Sequence, residues 1–159
     1  LDRSSAASDV YKRQMYKRIV LAYDGSPSGQ QALLDCQDLA QWSQAELTLV
    51  AVLPSQVTFA AAEGGIYDSG LMEREKEAMQ RVLDEGIARL NQAGHQATGV
   101  LLVGDTVDEI CRHATEVGAN LIVVGHRHLD SWAARWWRSP LSKALIAHAP
   151  CSVLVAITR

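Results

Sequence analysis

The chain has 159 residues, enough for one domain with a sizeable core, and is 48% hydrophobic and 21% charged. A formal net charge of −3 speaks against a general nucleic-acid binder, and no stretch approaches the roughly 20 apolar residues of a membrane span. Cys36, Cys111 and Cys151 lie far apart in apolar surroundings, form no metal-ligand spacing, and point to a reducing, cytoplasmic setting rather than a disulfide framework.

Leu1 to Gln14 is polar, rich in Ser and Ala, and lacks the apolar core of a secretory signal. Residues 1–14 are therefore expected to be a disordered or non-native leader, and residues 15–159 the domain. Arg18 to Tyr23 is an apolar, β-favouring run that stops at Asp24-Gly25-Ser26-Pro27. Ser26 suits a helix N-cap, and Pro27 suits the first helical position, where its missing N–H costs nothing. Ala32, Leu33, Cys36, Leu39 and Ala40 then mark one face of a helix.

Glu46 to Val52 reads as the second strand, and Leu53 to Gly70 as a long irregular connection. A helix follows from about Leu71 to Ala93, with Met72, Met79, Leu83, Ile87 and Leu90 inward and Gly94 ending it. Gln96 to Val103 is the third strand. Asp105 caps the next helix, which buries Val107, Ile110, Cys111 and Ala114. A fourth strand from Asn120 to Val124 leads into Gly125. A helix from about Pro140 to His148 and a strand from Ser152 to Thr158 close the series.

Strands alternating with amphipathic helices predict an α/β fold, a doubly wound parallel sheet with helices on both faces. Ligands of such sheets bind beyond the carboxyl ends of the strands, where the strand order reverses. Asp24, Val52, Gly104 and Gly125 all fall at strand ends. Asp24 reads either as a ligand acceptor there or as a turn residue capping the first helix.

The segment after Gly125 is His126-Arg127-His128, then Trp132, Trp136 and Trp137, with no further glycine before the next helix. His126 and His128, two apart with no carboxylate or cysteine nearby, do not make a metal site. Trp132 and Trp136 share a helical face, with Arg135 and Arg138 beside them. They read either as a plug over the crevice or as a contact surface for an unidentified protein partner. His95 and His113 are expected at the surface. His148 is expected to compensate a helix dipole, and Cys151 to be packed rather than reactive.

Three segments carry a family resemblance. Met15 to Ser26, with its strand and Asp-Gly-Ser turn, resembles the opening of the universal stress protein family. Val103-Gly104-Asp105 followed by Glu109-Ile110 resembles the family's Gly-Asp-Pro segment, and Ala149-Pro150-Cys151-Ser152-Val153-Leu154-Val155 resembles its closing strand. Together they span nearly all of Met15 to Arg159. The resemblance implies a Rossmann-like, five-stranded sheet of order 3-2-1-4-5 and a homodimer paired through the last strand, 152–158. It implies a stress-response protein rather than an enzyme.

One branch of that family binds ATP through Gly-x-x-Gly, nine residues, then Gly-Ser or Gly-Thr, so that backbone N–H groups reach the phosphates. Here Gly125 matches the first glycine, but the second falls on His128. The final pair falls on Arg138-Ser139, or on Ser139-Pro140 when counted back from Ala149. The resemblance carries Asp24, Val52, Val124 and Gly125 over as holders of adenine and ribose. On the phosphate side Arg127, Ser139 and Ser142 are the donors available in place of the lost glycines. The implied ligand is an adenine nucleotide, ATP or AMP, with magnesium if ATP.

Two other readings stand beside this one. The first is a nucleotide-free interaction module that uses the Trp/Arg loop 126–138. The second is an adenylate-handling enzyme with Asp24 to Gly29 as its pyrophosphate loop. No Ser/His/Asp order, paired carboxylate set or Walker motif is present, so no catalytic residue is expected.

Overall fold

The computed structural model describes residues 16–54, 69–127 and 140–158. At the centre of the sheet lies β1 (Arg18–Ala22), and its Ile19, Val20 and Leu21 are all buried because helices cover both faces. It pairs in parallel with β2 (Glu46–Pro54) on one side and β4 (Leu121–Arg127) on the other. Outside these lie β3 (Ala97–Gly104) and β5 (Ser152–Thr158), giving the five-stranded order 3-2-1-4-5 with every pair parallel. The sheet is the one expected.

Two cores follow from the alternation of side chains along the strands. On one face Ile19, Leu21, Leu47, Leu49 and Val123 meet α1 (Pro27–Ser43) and α2 (Ser69–Gln92). On the other face Val20, Val50, Ile122 and Val124 meet α3 (Thr106–Glu116) and α4 (Pro140–His148). Both expected caps are in place. Ser26 Oγ accepts from the Gly29 N–H at 3.1 Å with Pro27 at the helix start, and Asp105 Oδ1 accepts from Val107 and Asp108 at 2.9 and 3.1 Å. Each cap is worth about 1 kcal/mol.

At the opposite end of the sheet Asn120 ties β1 to β4. Its Oδ1 accepts from the Lys17 and Arg18 N–H groups, both at 3.1 Å, while its own N–H donates to the Arg18 carbonyl at 3.0 Å. The start of β1 is thus set before its ladder begins.

Some boundaries differ from those expected. β4 does not stop before Gly125 but continues through His126 to Arg127, because these residues pair with Ile157 and Thr158 of β5. β2 likewise runs on to Pro54, opposite Gly104. His113, expected at the surface, is buried at 9% exposure, and its Nε2 has no hydrogen-bond partner. It follows Ile110 by three positions and so shares the inward face of α3. His148 bonds through Nδ1 to the Ala144 carbonyl at 2.9 Å, in the last turn of α4 where its dipole role was expected. Among the described residues no helix is long and apolar enough to cross a membrane.

Candidate functional site

The strand order reverses between β1 and β4, since the chain leaves β1 for β2 on one side and returns to β4 on the other. A cavity of about 320 Å³ opens at the carboxyl ends of these strands. Its volume lies at the small end of the roughly 300–1,000 Å³ typical of small-molecule sites. Asp24, Val52, Val124 and Gly125, named from the sequence, all line it. Three loop ends far apart in the chain therefore converge because the parallel sheet stacks their strand ends side by side.

The remaining named residues divide. Ser142 stands in the first turn of α4 and is buried at 8% exposure, and the α4 residue that lines the cavity is its neighbour Leu141. Arg127 is the last residue of β4, a strand residue rather than a loop residue. Ser139, His128, Trp132, Arg135, Trp136, Trp137 and Arg138 lie outside the described residues, as do residues 1–14. Among the described residues no three His, Cys, Asp or Glu side chains gather as metal ligands.

Of the other lining residues, the sequence assigns Met79 and Ile110 only to the core and does not single out Thr106. Met79 reaches the cavity from α2, while Thr106 and Ile110 reach it from α3. Thr106 had a usable signal, because it follows the Asp105 cap and so begins a helix directly beyond the end of β3. Met79 had none, since helical periodicity separates inner from outer faces but not the middle of a sheet from its end.

The turn after β1 satisfies its own backbone. Asp24 Oδ1 accepts from the Ser26 N–H at 2.9 Å, Ser26 Oγ accepts from Gly29, and the Ser26 carbonyl accepts from Gln30 at 2.8 Å. Pro27 has no N–H to give. The first turn of α1 consequently has few amides left for an anion, which weighs against a pyrophosphate loop there. The Asp24 carboxylate adds negative charge at the same helix end, where it opposes the macrodipole's pull on a phosphate.

Gly125 is required by packing. A Cβ at this position would stand 2.1 Å from the Ser28 carbonyl oxygen and 2.7 Å from the Gly29 nitrogen. The end of β4 passes directly against the first turn of α1, and only glycine leaves room. Beside the cavity the Tyr23 ring is buried at 4% exposure against Gly86 of α2. Burial, above all, raises the pKa of its phenol, with Arg89 opposing and Glu85 and Asp24 adding to the rise. Arg89 in turn donates to Gln30 of α1, so α1 and α2 are pinned together over this end of β1.

The walls are mainly apolar, with Val50, Val52, Ile110 and Val124 facing the cavity and Asp24 supplying a charged acceptor at its rim. Such a space suits a flat, largely apolar ring that carries a donor toward Asp24.

Known proteins share this fold. The family model of the universal stress protein family matches residues 15–156. A protein of Staphylococcus epidermidis named as a universal stress protein is 31% identical over 145 residues, covering 90% of this chain and 85% of its own. A crystal structure from the same family, from Burkholderia pseudomallei, is 29% identical with a TM-score of 0.70, covering 89% of this chain and 96% of that one. The Archaeoglobus fulgidus universal stress protein in complex with dAMP has the same fold, with a TM-score of 0.61 at 22% identity, covering 89% of this chain and 98% of that one. The chain belongs to the universal stress protein family.

Proposed function

We propose that this protein is a non-enzymatic, cytoplasmic stress-response protein that binds an adenine nucleotide between the ends of β1 and β4. The observation that carries the reading is the convergence of Asp24, Val52, Val124 and Gly125 on one apolar-walled cavity of about 320 Å³. The dAMP in the Archaeoglobus fulgidus relative supports the choice of ligand. In this arrangement Val52 and Val124 hold the base and Asp24 accepts from a sugar hydroxyl or base amino group. The phosphates lie away from α1, toward Arg127, Ser139 and Ser142, because the α1 turn is internally bonded and carries Asp24.

The protein acts as a homodimer through β5. This strand has a single neighbour in the sheet, and Leu154 and Ile157 are 39% and 57% exposed along it. An apolar edge strand of this kind is a template for pairing with another chain. Sedimentation equilibrium tests the dimer: twice the chain mass is expected, and a monomer at all concentrations would refute it.

Calorimetric titration with AMP, ADP and ATP, with and without magnesium, tests the site. Binding that an Asp24→Ala change abolishes is the expected outcome. Heat with none of the three nucleotides would refute it and favour the nucleotide-free interaction module built on residues 126–138. Turnover of ATP to a new product would overturn the non-enzymatic reading.

A further inference from the structure

Two polar side chains stand at opposite sides of the cavity. Asp24 lies two residues beyond the end of β1, and Thr106 lies two residues beyond the end of β3. Between them runs β2, whose Val50, Val52 and Pro54 also line the space. Neighbouring strands are about 5 Å apart, which separates the ends of β1 and β3 by about 10 Å. That is close to the span of a nucleoside from its ribose hydroxyls to the far edge of its base. Tyr23 lines the cavity too, but its ring packs on Gly86 of α2.

Thr106 lies on the inward face of α3. Ile110 follows it by one helical turn, is 1% exposed, and lines the same cavity. Pro54 pairs with Gly104, which sets the start of α3 beside the end of β2. The Thr106 hydroxyl is uncommitted. Thr48 and Thr98 hydrogen-bond each other at 3.3 Å, and Thr115 Oγ1 donates to the Cys111 carbonyl at 2.8 Å. Among the described residues Thr106 has no such partner.

The backbone beside it is taken. The Val107 and Asp108 N–H groups donate to Asp105 Oδ1, and the Glu109 N–H donates to the Asp105 carbonyl. What α3 offers the cavity is therefore a hydroxyl, in a helix start that also carries Asp105, Asp108 and Glu109. These carboxylates repel a phosphate, so the neutral base is the part of a nucleotide suited to this end.

Given the adenine-nucleotide site proposed above, on which this rests, we infer that Thr106 reads the base. Its hydroxyl hydrogen-bonds the outer edge of the six-membered ring, at the ring nitrogen or the amino group. A carboxylate only accepts whereas a hydroxyl also donates, so of Asp24 and Thr106 only Thr106 can serve a ring nitrogen. A base without a matching group leaves that hydroxyl unpaired against apolar walls and is bound more weakly.

The test is calorimetric titration of the full chain with AMP and two analogues. One is 1-deaza-AMP, which lacks the ring nitrogen, and the other is purine riboside monophosphate, which lacks the amino group. The parent is expected to bind the analogue missing the bonded group about five- to tenfold more weakly than AMP. Thr106→Val, which keeps the shape and removes the hydroxyl, is expected to weaken AMP by the same factor and to leave that analogue unaffected. Thr106→Ser restores most of the AMP affinity, and melting curves report separately whether each variant folds. Equal affinity of the parent for all three ligands would overturn the inference. So would a Thr106→Val protein that binds AMP as the parent does, or that loses AMP and both analogues equally, which marks a packing role. A parent that binds none of the three refutes the nucleotide site itself, and the role of Thr106 with it.

Discussion

Ser28 and Gly125 meet backbone to backbone: the Ser28 carbonyl oxygen occupies the place where a side chain at residue 125 would begin, 2.1 Å from its Cβ. That contact seats the first turn of α1 against the end of β4. It explains the glycine at the head of the degenerate phosphate motif without any ligand.

Gly125→Ala is accordingly expected to destabilise the fold by about 3 kcal/mol, the upper end of overpacking penalties, because backbone rather than a flexible side chain must move. Denaturant unfolding with an unchanged m-value checks it. A variant of native stability would mean that the two segments separate freely.

Asp24 has two roles that a conservative variant separates. Asp24→Asn retains an oxygen for the Ser26 N–H but loses the charge, whereas Asp24→Ala loses both. Alanine is expected to lower stability by about 1 kcal/mol and asparagine by much less. If both variants lose nucleotide affinity to the same degree, the charge matters to the ligand. If only alanine does, Asp24 acts by shaping the turn. Paired unfolding and calorimetric curves make the distinction.

Asn120 is the counterpart at the other end of the sheet. Replacing it with Ala strands two N–H groups, those of Lys17 and Arg18, and is expected to cost about 1–2 kcal/mol. Asn120→Asp keeps the accepting oxygen and is expected to stay close to the parent. A melting-temperature comparison of the two variants decides whether this clamp or local strand propensity fixes the start of β1.

On the surface of α3, Arg112 hydrogen-bonds Glu109 and holds its carboxyl below the usual carboxylate range. The folded value is therefore lower than the unfolded one, so the stabilisation is complete above the unfolded value and is lost as pH falls through the folded one. Melting temperature should decline on acidification slightly more steeply in the parent than in Glu109→Gln. The slope difference is small because the pair is solvent-exposed.

Much of this architecture is legible in local chemistry. Asp24-Gly25-Ser26-Pro27 announces a turn, a cap and a helix start in four residues, and Asp105 does the same for α3. Strand order is implied by the family likeness, and the sheet agrees with it. What escaped depends on distant partners. His126 and Arg127 are polar residues after a glycine, and only pairing with Ile157 and Thr158 makes them strand. His113 was placed outside by polarity, yet its position three after Ile110 puts it inside. Gly125 is legible from the sequence only as the first glycine of a nucleotide motif; its packing against Ser28, about a hundred residues earlier in the chain, depends on the fold.

The bonded turn from Asp24 to Gln30 bears on how such a protein can diverge. The same atoms that start the first helix also form one wall of the cavity, so a change made there for the sake of a new ligand disturbs folding as well. Met79, Thr106 and Leu141 line that cavity from three separate helices and take no part in the turn. Altered selectivity is therefore most easily reached through these positions, and lineages that share this turn are free to drift apart in what they bind while the β1–α1 corner stays the same.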